Sequence, residues 1–163
     1  MSISWADSYL GQLRALAGDR TLMFVGARAV VRDSAGRVLL IQRSDNGHWA
    51  MPAGAMELGE SIADCAVREV REETGLRALR VGAFALYTGP DRITTNMFGH
   101  TYQLFTVAFR VEDWDGELVR VTDETTDADF FHRDRFPAPL SASVTETLAD
   151  LDVFEQANRL ILK

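Results

Sequence analysis

Three glutamates, Glu69, Glu72 and Glu73, stand at i, i+3 and i+4 within residues 54–76, GAMELGESIADCAVREVREETGL. On a helix that spacing gathers the three carboxylates on one face within about one turn. Like charges placed this way repel by a few tenths of a kcal/mol per pair, so the face needs compensation. Arg68, four residues before Glu72, offsets part of the charge, and Arg71 projects elsewhere. The excess that remains invites a divalent cation, and an all-oxygen ligand set favours Mg2+ or Mn2+ over zinc. Such a cation polarises phosphoryl oxygens and lowers the pKa of water, the chemistry of phosphate-ester and anhydride cleavage.

The helix that must carry these acids is written into the same segment. Ser61 with Asp64 three residues on forms a capping-box pattern, and Gly75 can end the helix in a left-handed conformation. Ala63, Ala66, Val67 and Val70 form an apolar stripe about a quarter turn or more from the glutamates. The spacing predicts one face that packs and another that is free for chemistry. Gly54 and Gly59 let the preceding loop fold tightly against the helix start, and Glu57 is either a peripheral ligand or a solvated loop acid.

Gly54, Glu60, Arg68, Glu69, Val70, Glu72, Glu73, Gly75 and Leu76 satisfy every position of G-x5-E-x7-R-E-U-x-E-E-x-G-U, with U apolar. The segment therefore resembles the Nudix box, a match too long to arise readily by chance. The resemblance extends upstream through residues 49–54, with Ala53 where many relatives have glycine. It implies a Nudix-type α/β/α sandwich with a mixed β-sheet, and hydrolysis of a nucleoside diphosphate linked to another group.

By position in the box, Glu69 and Glu73 are the implied principal ligands of Mg2+ or Mn2+. Glu72 is implied to bind a further ion or to act through water, and the Ala53 carbonyl to complete a coordination shell. Arg68 is implied to orient the acids, with Glu60 as a partner. Glu69 is also a candidate base, although a carboxylate bound to a cation is a weak one. Related enzymes often use a glutamate on a later loop, which makes Glu124 the second candidate. ADP-ribose or another nucleotide sugar is the implied substrate, and Pro90 stands near a position where ADP-ribose hydrolases carry proline. The alternatives are a (d)NTP pyrophosphohydrolase and a non-catalytic nucleotide sensor; retention of every acidic position argues against the sensor.

At 163 residues, 47% hydrophobic and 25% charged, the chain reads as one globular domain with a helical extension at about residues 1–18. A net charge of -7 disfavours binding to a nucleic-acid polymer, while a small nucleotide can approach together with its metal. The lone Cys65 excludes an internal disulfide and reads as a packing residue. Without a signal-type or membrane-spanning apolar run, the expectation is a cytoplasmic protein with no membrane partner.

Trp5, Tyr9, Leu10, Leu13 and Leu16 predict an amphipathic helix over residues 3–17 that covers the core or contacts a second subunit of a homodimer. A strand-rich stretch at 21–31, a turn at 33–36 and a strand at 37–42 read as a hairpin, followed by an irregular loop at 49–59. Further strands are expected at 78–87, 101–111 and 128–132, with a long loop between the first two, a turn at 114–117, and a helix at 141–158. Tyr87, Asp91, Arg92, Phe98 and Tyr102 could meet a base or sugar, although aromatic strand residues commonly pack in cores. His48, His100 and His132 lack paired metal-ligand spacing and read as surface or packing residues.

Overall fold

The run TYQLFTVAFRVEDWD is dense in β-branched and aromatic residues and forms one 15-residue strand, β7 (Thr101–Asp115), the centre of the fold. In this computed structural model, which describes residues 4–163, β7 pairs in parallel with β1 (Leu22–Val30) and antiparallel with β5 (Arg77–Tyr87). Two short strands, β4 (Ala53–Ala55) on β1 and β9 (Ile161–Leu162) on β5, extend this mixed sheet, and β6 (Ile93–Thr95) pairs with β7. A second sheet has the order β3 (Trp49–Ala50), β2 (Val38–Arg43), β8 (Thr125–Phe131).

Strand alternation sends neighbouring residues into different cores. Ala29 and Leu39 join Val70 and Leu76 beneath helix α2 (Ile62–Thr74), whereas Val30 and Leu40 join Val144, Leu148 and Leu151 of helix α3 (Ala142–Ala157). The two helices thus cover opposite faces, giving the expected α/β/α arrangement. Helix α1 (Tyr9–Ala17) is tied to the β7 start, where Arg14 donates to the Tyr102 hydroxyl and to the Thr101 carbonyl at 3.3 and 3.2 Å. Among the described residues no helix is long and apolar enough to cross a membrane.

Several expected elements differ. The expected hairpin forms only beside its turn at 33–36, where Asp33 N–H donates to the Arg37 carbonyl, Arg32 bridges Val38 antiparallel and Leu39 N–H donates to the Val31 carbonyl; beyond it β1 and β2 part into separate sheets. The 49–59 loop contains β3 and β4, and the loop after β5 contains β6. The turn expected at 114–117 starts later. Trp114 continues β7 opposite Ala78, stacks on Phe130 with centroids 5.6 Å apart, and donates its indole N–H to the Arg32 carbonyl at 2.9 Å. That packing overrides the local turn preference.

The helix expected over 3–17 begins only at Tyr9; residue 3 lies outside the described residues. Ser8 caps it, its hydroxyl accepting from Gly11 N–H, and residues 4–8 form a turn instead.

Candidate active site

Helix α2 starts and ends where its sequence dictates. The Ser61 hydroxyl accepts from Asp64 N–H at 3.1 Å, the Asp64 carboxylate accepts from Ser61 N–H at 3.3 Å, and Gly75 closes the helix at φ 73°. The faces are less separate than the sequence suggests. Glu69 and Glu73 are 6% and 3% exposed and share a buried face with Cys65, Ala66 and Val70, while Ala63 and Val67 are only half-buried.

The reason is β4, which lies against the helix. A Cβ on Gly54 would sit 2.1–2.4 Å from the Glu69 carboxyl atoms, so a side chain there would displace that carboxylate. Ala53 N–H donates to Glu73 Oε2 at 2.9 Å, and the Ala55 carbonyl accepts from Arg68 at 2.8 Å. Since an extended residue directs its N–H and C=O to the same side, the Ala53 carbonyl shares the strand edge that faces the acids.

Arg68 organises the remainder. Its guanidinium donates to both oxygens of Glu60 at 3.0 and 2.7 Å, to Glu69 at 2.6 Å and to Glu72 at 3.0 Å. These bonds, led by those to Glu60, hold the guanidinium charged. Glu57 is tied to helix α1: its carboxylate accepts from Tyr9 N–H at 2.7 Å, and its own N–H donates to Glu60 at 2.8 Å.

Glu124 arrives from the segment before β8, fastened to the end of β2 by Ser44 N–H, which donates to the Glu124 carbonyl at 3.0 Å. One carboxylate oxygen from each of Glu69, Glu73 and Glu124 lies within 4.8 Å of the others. Glu72 stands beside this trio in the grip of Arg68. Burial pushes Glu69 up to about 7 against the pull of Arg68, and Glu124 and Glu72 add to the rise. Burial, then repulsion from Glu69, raises Glu73 well above the ordinary carboxylate range. Glu124 is raised by desolvation and by Glu72. Hard oxygen donors, close spacing and uncompensated charge fit a Mg2+- or Mn2+-type ion. Burial also pushes the Cys65 thiol up to about 12, which suits packing and not thiol chemistry.

The trio opens into a cavity of about 520 Å³, lined among the described residues by seven acids and two basic residues, Arg43 and Arg68. Sequence reasoning missed Arg43, which ends β2, pairs with Asp45 at 2.7 Å and lies in the field of Glu73 and Glu124. A lone arginine at a strand end carries no signal of this placement. Also missed were Trp5 and Phe24, which line the same cavity. None of Tyr87, Asp91, Arg92, Phe98 and Tyr102 lines it; Tyr87 and Tyr102 are buried, and Arg92 is held by Glu146.

Comparison with known proteins agrees with this geometry. The NUDIX domain family matches residues 23–151. An ADP-ribose pyrophosphatase of Methanocaldococcus jannaschii is 34% identical over 104 residues, covering 62% of this chain and 57% of that protein. The NAD-capped RNA hydrolase NudC of Stutzerimonas stutzeri is 30% identical over 161 residues, covering 90% of this chain and 55% of that protein. The chain thus spans about half the length of these relatives. The crystal structure of a MutT Nudix hydrolase from Burkholderia pseudomallei shares the fold, with a TM-score of 0.66, 24% identity, and coverage of 81% of this chain and 99% of that one. With four-fifths of its length matched by the domain and its acids assembled as the box requires, the chain belongs to the Nudix family.

Proposed function

We propose that this protein hydrolyses the pyrophosphate link of a small nucleoside diphosphate derivative, ADP-ribose or another nucleotide sugar, with Mg2+ or Mn2+. The observation that carries this reading is the convergence of Glu69, Glu73 and Glu124 on one point of an acid-lined cavity. The name of the Methanocaldococcus jannaschii relative supports ADP-ribose as substrate.

Bound there, the ion would polarise the phosphoryl oxygens and lower the pKa of water. Glu69, Glu73 and the Ala53 carbonyl would hold it, with Glu72 positioned for a further ion or a water. Arg68 keeps Glu69 and Glu72 oriented through its shared hydrogen bonds. Arg43 can neutralise phosphate charge in the cavity wall. Glu124, the exposed member of the trio, can reach a water in the cavity and accept its proton, whereas Glu69 is already engaged by Arg68.

The test is a panel of ADP-ribose, UDP-sugars and dNTPs assayed with Mg2+, Mn2+ or EDTA, with products identified by mass and the site of water entry by 18O. Cleavage of ADP-ribose to AMP and ribose 5-phosphate is expected. Release of pyrophosphate from dNTPs would replace the substrate assignment, and no metal-dependent turnover would sink the hydrolase reading. Glu124→Gln should lower kcat about 100-fold and remove one limb of its pH profile; a parental profile would leave the base elsewhere.

A further inference from the structure

The cavity that receives the three glutamates is also lined by residues of different chemistry, Ser4, Trp5, Ser8 and Phe24. We propose that Trp5 is the specificity-determining side chain of this site and that its indole face receives the nucleobase attached to the diphosphate. This rests on the pyrophosphohydrolase reading above and adds a residue to it.

Trp5 is 52% exposed, unusual for so large an apolar group, yet its backbone is tightly held. The Ser8 hydroxyl donates to the Trp5 carbonyl at 2.8 Å, and the Ser4 carbonyl accepts from the N–H groups of Asp7 and Ser8 at 3.0 Å each. A Cβ on Gly11 would fall 1.8 Å from the Trp5 carbonyl oxygen, so glycine is what lets the turn lie against α1. The indole is therefore displayed on a fixed support, which limits the entropy lost when a ligand stacks on it.

The support is also wired to the acids. Tyr9 N–H donates to Glu57, Glu57 N–H donates to Glu60, and Glu60 accepts two bonds from Arg68, which holds Glu69 and Glu72. Glu57 is thus a positioning residue that sets the aromatic residues against the metal-binding ones. The glutamate trio suits a metal-bound diphosphate; Trp5 and Phe24, with Glu57 as the acid tied to α1 beside them, offer aromatic surface that suits a base. The volume of about 520 Å³ is ordinary for a site enclosing a small ligand.

The chemistry also limits what Trp5 can select. The Ser4 and Ser8 hydroxyls are already spent on Asp7 and on the Trp5 carbonyl, so among the described residues Trp5 offers a stacking face with no free serine hydroxyl beside it. Stacking accepts any base. Trp5 should therefore favour a nucleotide over a base-free analogue while discriminating little between adenine and uracil.

The experiment compares kcat/KM for ADP-ribose with that for the same diphosphate lacking adenine, in the full chain with Mg2+. Trp5→Ala should lower the ratio about 10-fold, through KM more than kcat, and Trp5→Phe should restore most of it. Gly11→Ala, which displaces the turn without altering the indole, should lower the ratio too. An unchanged ratio in Trp5→Ala overturns the proposal. A separate arm titrates AMP in EDTA while following tryptophan fluorescence: quenching is expected in the parent and should be lost in Trp5→Phe. Quenching retained in Trp5→Phe also overturns the proposal. If quenching depends on Trp5 but neither diphosphate is hydrolysed, the base platform stands and the hydrolase reading falls.

Discussion

Glu73 and Glu146 come from helices on opposite faces of one sheet, and their surroundings drive the two carboxyls in opposite directions. Around Glu146, cations are plentiful. Arg92 grips it at 2.7 and 2.8 Å, Lys163 lies 3.5 Å from it and 2.8 Å from Asp150, and Arg28 bonds to the neighbouring Thr147 at 2.9 Å. The Arg92 hydrogen bonds pull Glu146 down to about 2. Glu73 has no such partner, being buried beside Glu69 with Arg43 and Arg68 facing the seven acids of the cavity. An ion-pair cluster that serves stability is neutralised within the chain, whereas the box acids are left for a charge from outside.

The comparison breaks first at Glu73→Gln. Losing an implied direct ligand should cost more than the roughly 100-fold upper range for outer-sphere partners, so kcat should fall by at least about 100-fold. The same change removes a buried, repelled charge, and the metal-free variant should melt above the parent at pH 7.5. Near-parental turnover would remove Glu73 from the ligand set; a lower melting temperature would show that its charge was satisfied in the fold.

Arg68→Lys is expected to cost about 10- to 100-fold in kcat. A lysine ammonium cannot span Glu60, Glu69, Glu72 and the Ala55 carbonyl as the planar guanidinium does. Steady-state assays across a Mg2+ titration check this, and a loss reversed by excess metal would assign Arg68 to ligand orientation and not to substrate contact.

The pH dependence of metal-free stability sharpens the contrast further. Glu69 rises from 4.5 to about 7 on folding, so its contribution is full below pH 4.5 and is lost as pH climbs through 7, about 3 kcal/mol for that shift. Glu146 falls from 4.5 to about 2, so its contribution is present above pH 4.5 and is lost on acidification through 2. Melting temperature in EDTA should therefore peak near the pH where the two limbs meet. Mg2+ should lift the alkaline limb alone, because there Glu69 has lost the proton whose place the ion takes. Equal lifting at pH 5 and pH 8 would place the ion away from these acids.

What the sequence revealed follows the same division. The α2 caps, the acids at i, i+3 and i+4 and the apolar stripe are local in sequence, and residues 61–75 fold as read. Burial of Glu69 and Glu73 was not legible, because it depends on β4 pairing with β1 and bringing Gly54 against the helix. The hairpin expected from residues 21–42 holds only beside its turn for a similar reason: β1 found β7, about eighty residues away, and β2 found β8. Trp5 and Arg43 reach the cavity only through tertiary placement, and neither stands in a pattern that marks it. Periodicity reports which face of an element is apolar and says little about which distant strand will cover it.

The smallest expected effect belongs to Glu146→Gln, and it tests whether the α3 cluster is structural at all. The pair with Arg92 is partly exposed and should contribute no more than about 1 kcal/mol, since water screens it and two long side chains must be ordered. For a chain of this length that corresponds to a melting temperature lower by about 2–4 °C at pH 7. Below pH 3 the difference should shrink as the parental Glu146 itself begins to protonate. Turnover should stay near the parent's, because Glu146 and Arg92 are absent from the cavity wall. A loss of activity with unchanged melting temperature would reverse the assignment, making the compensated cluster a second functional region and the difference in charge balance an unreliable guide to function.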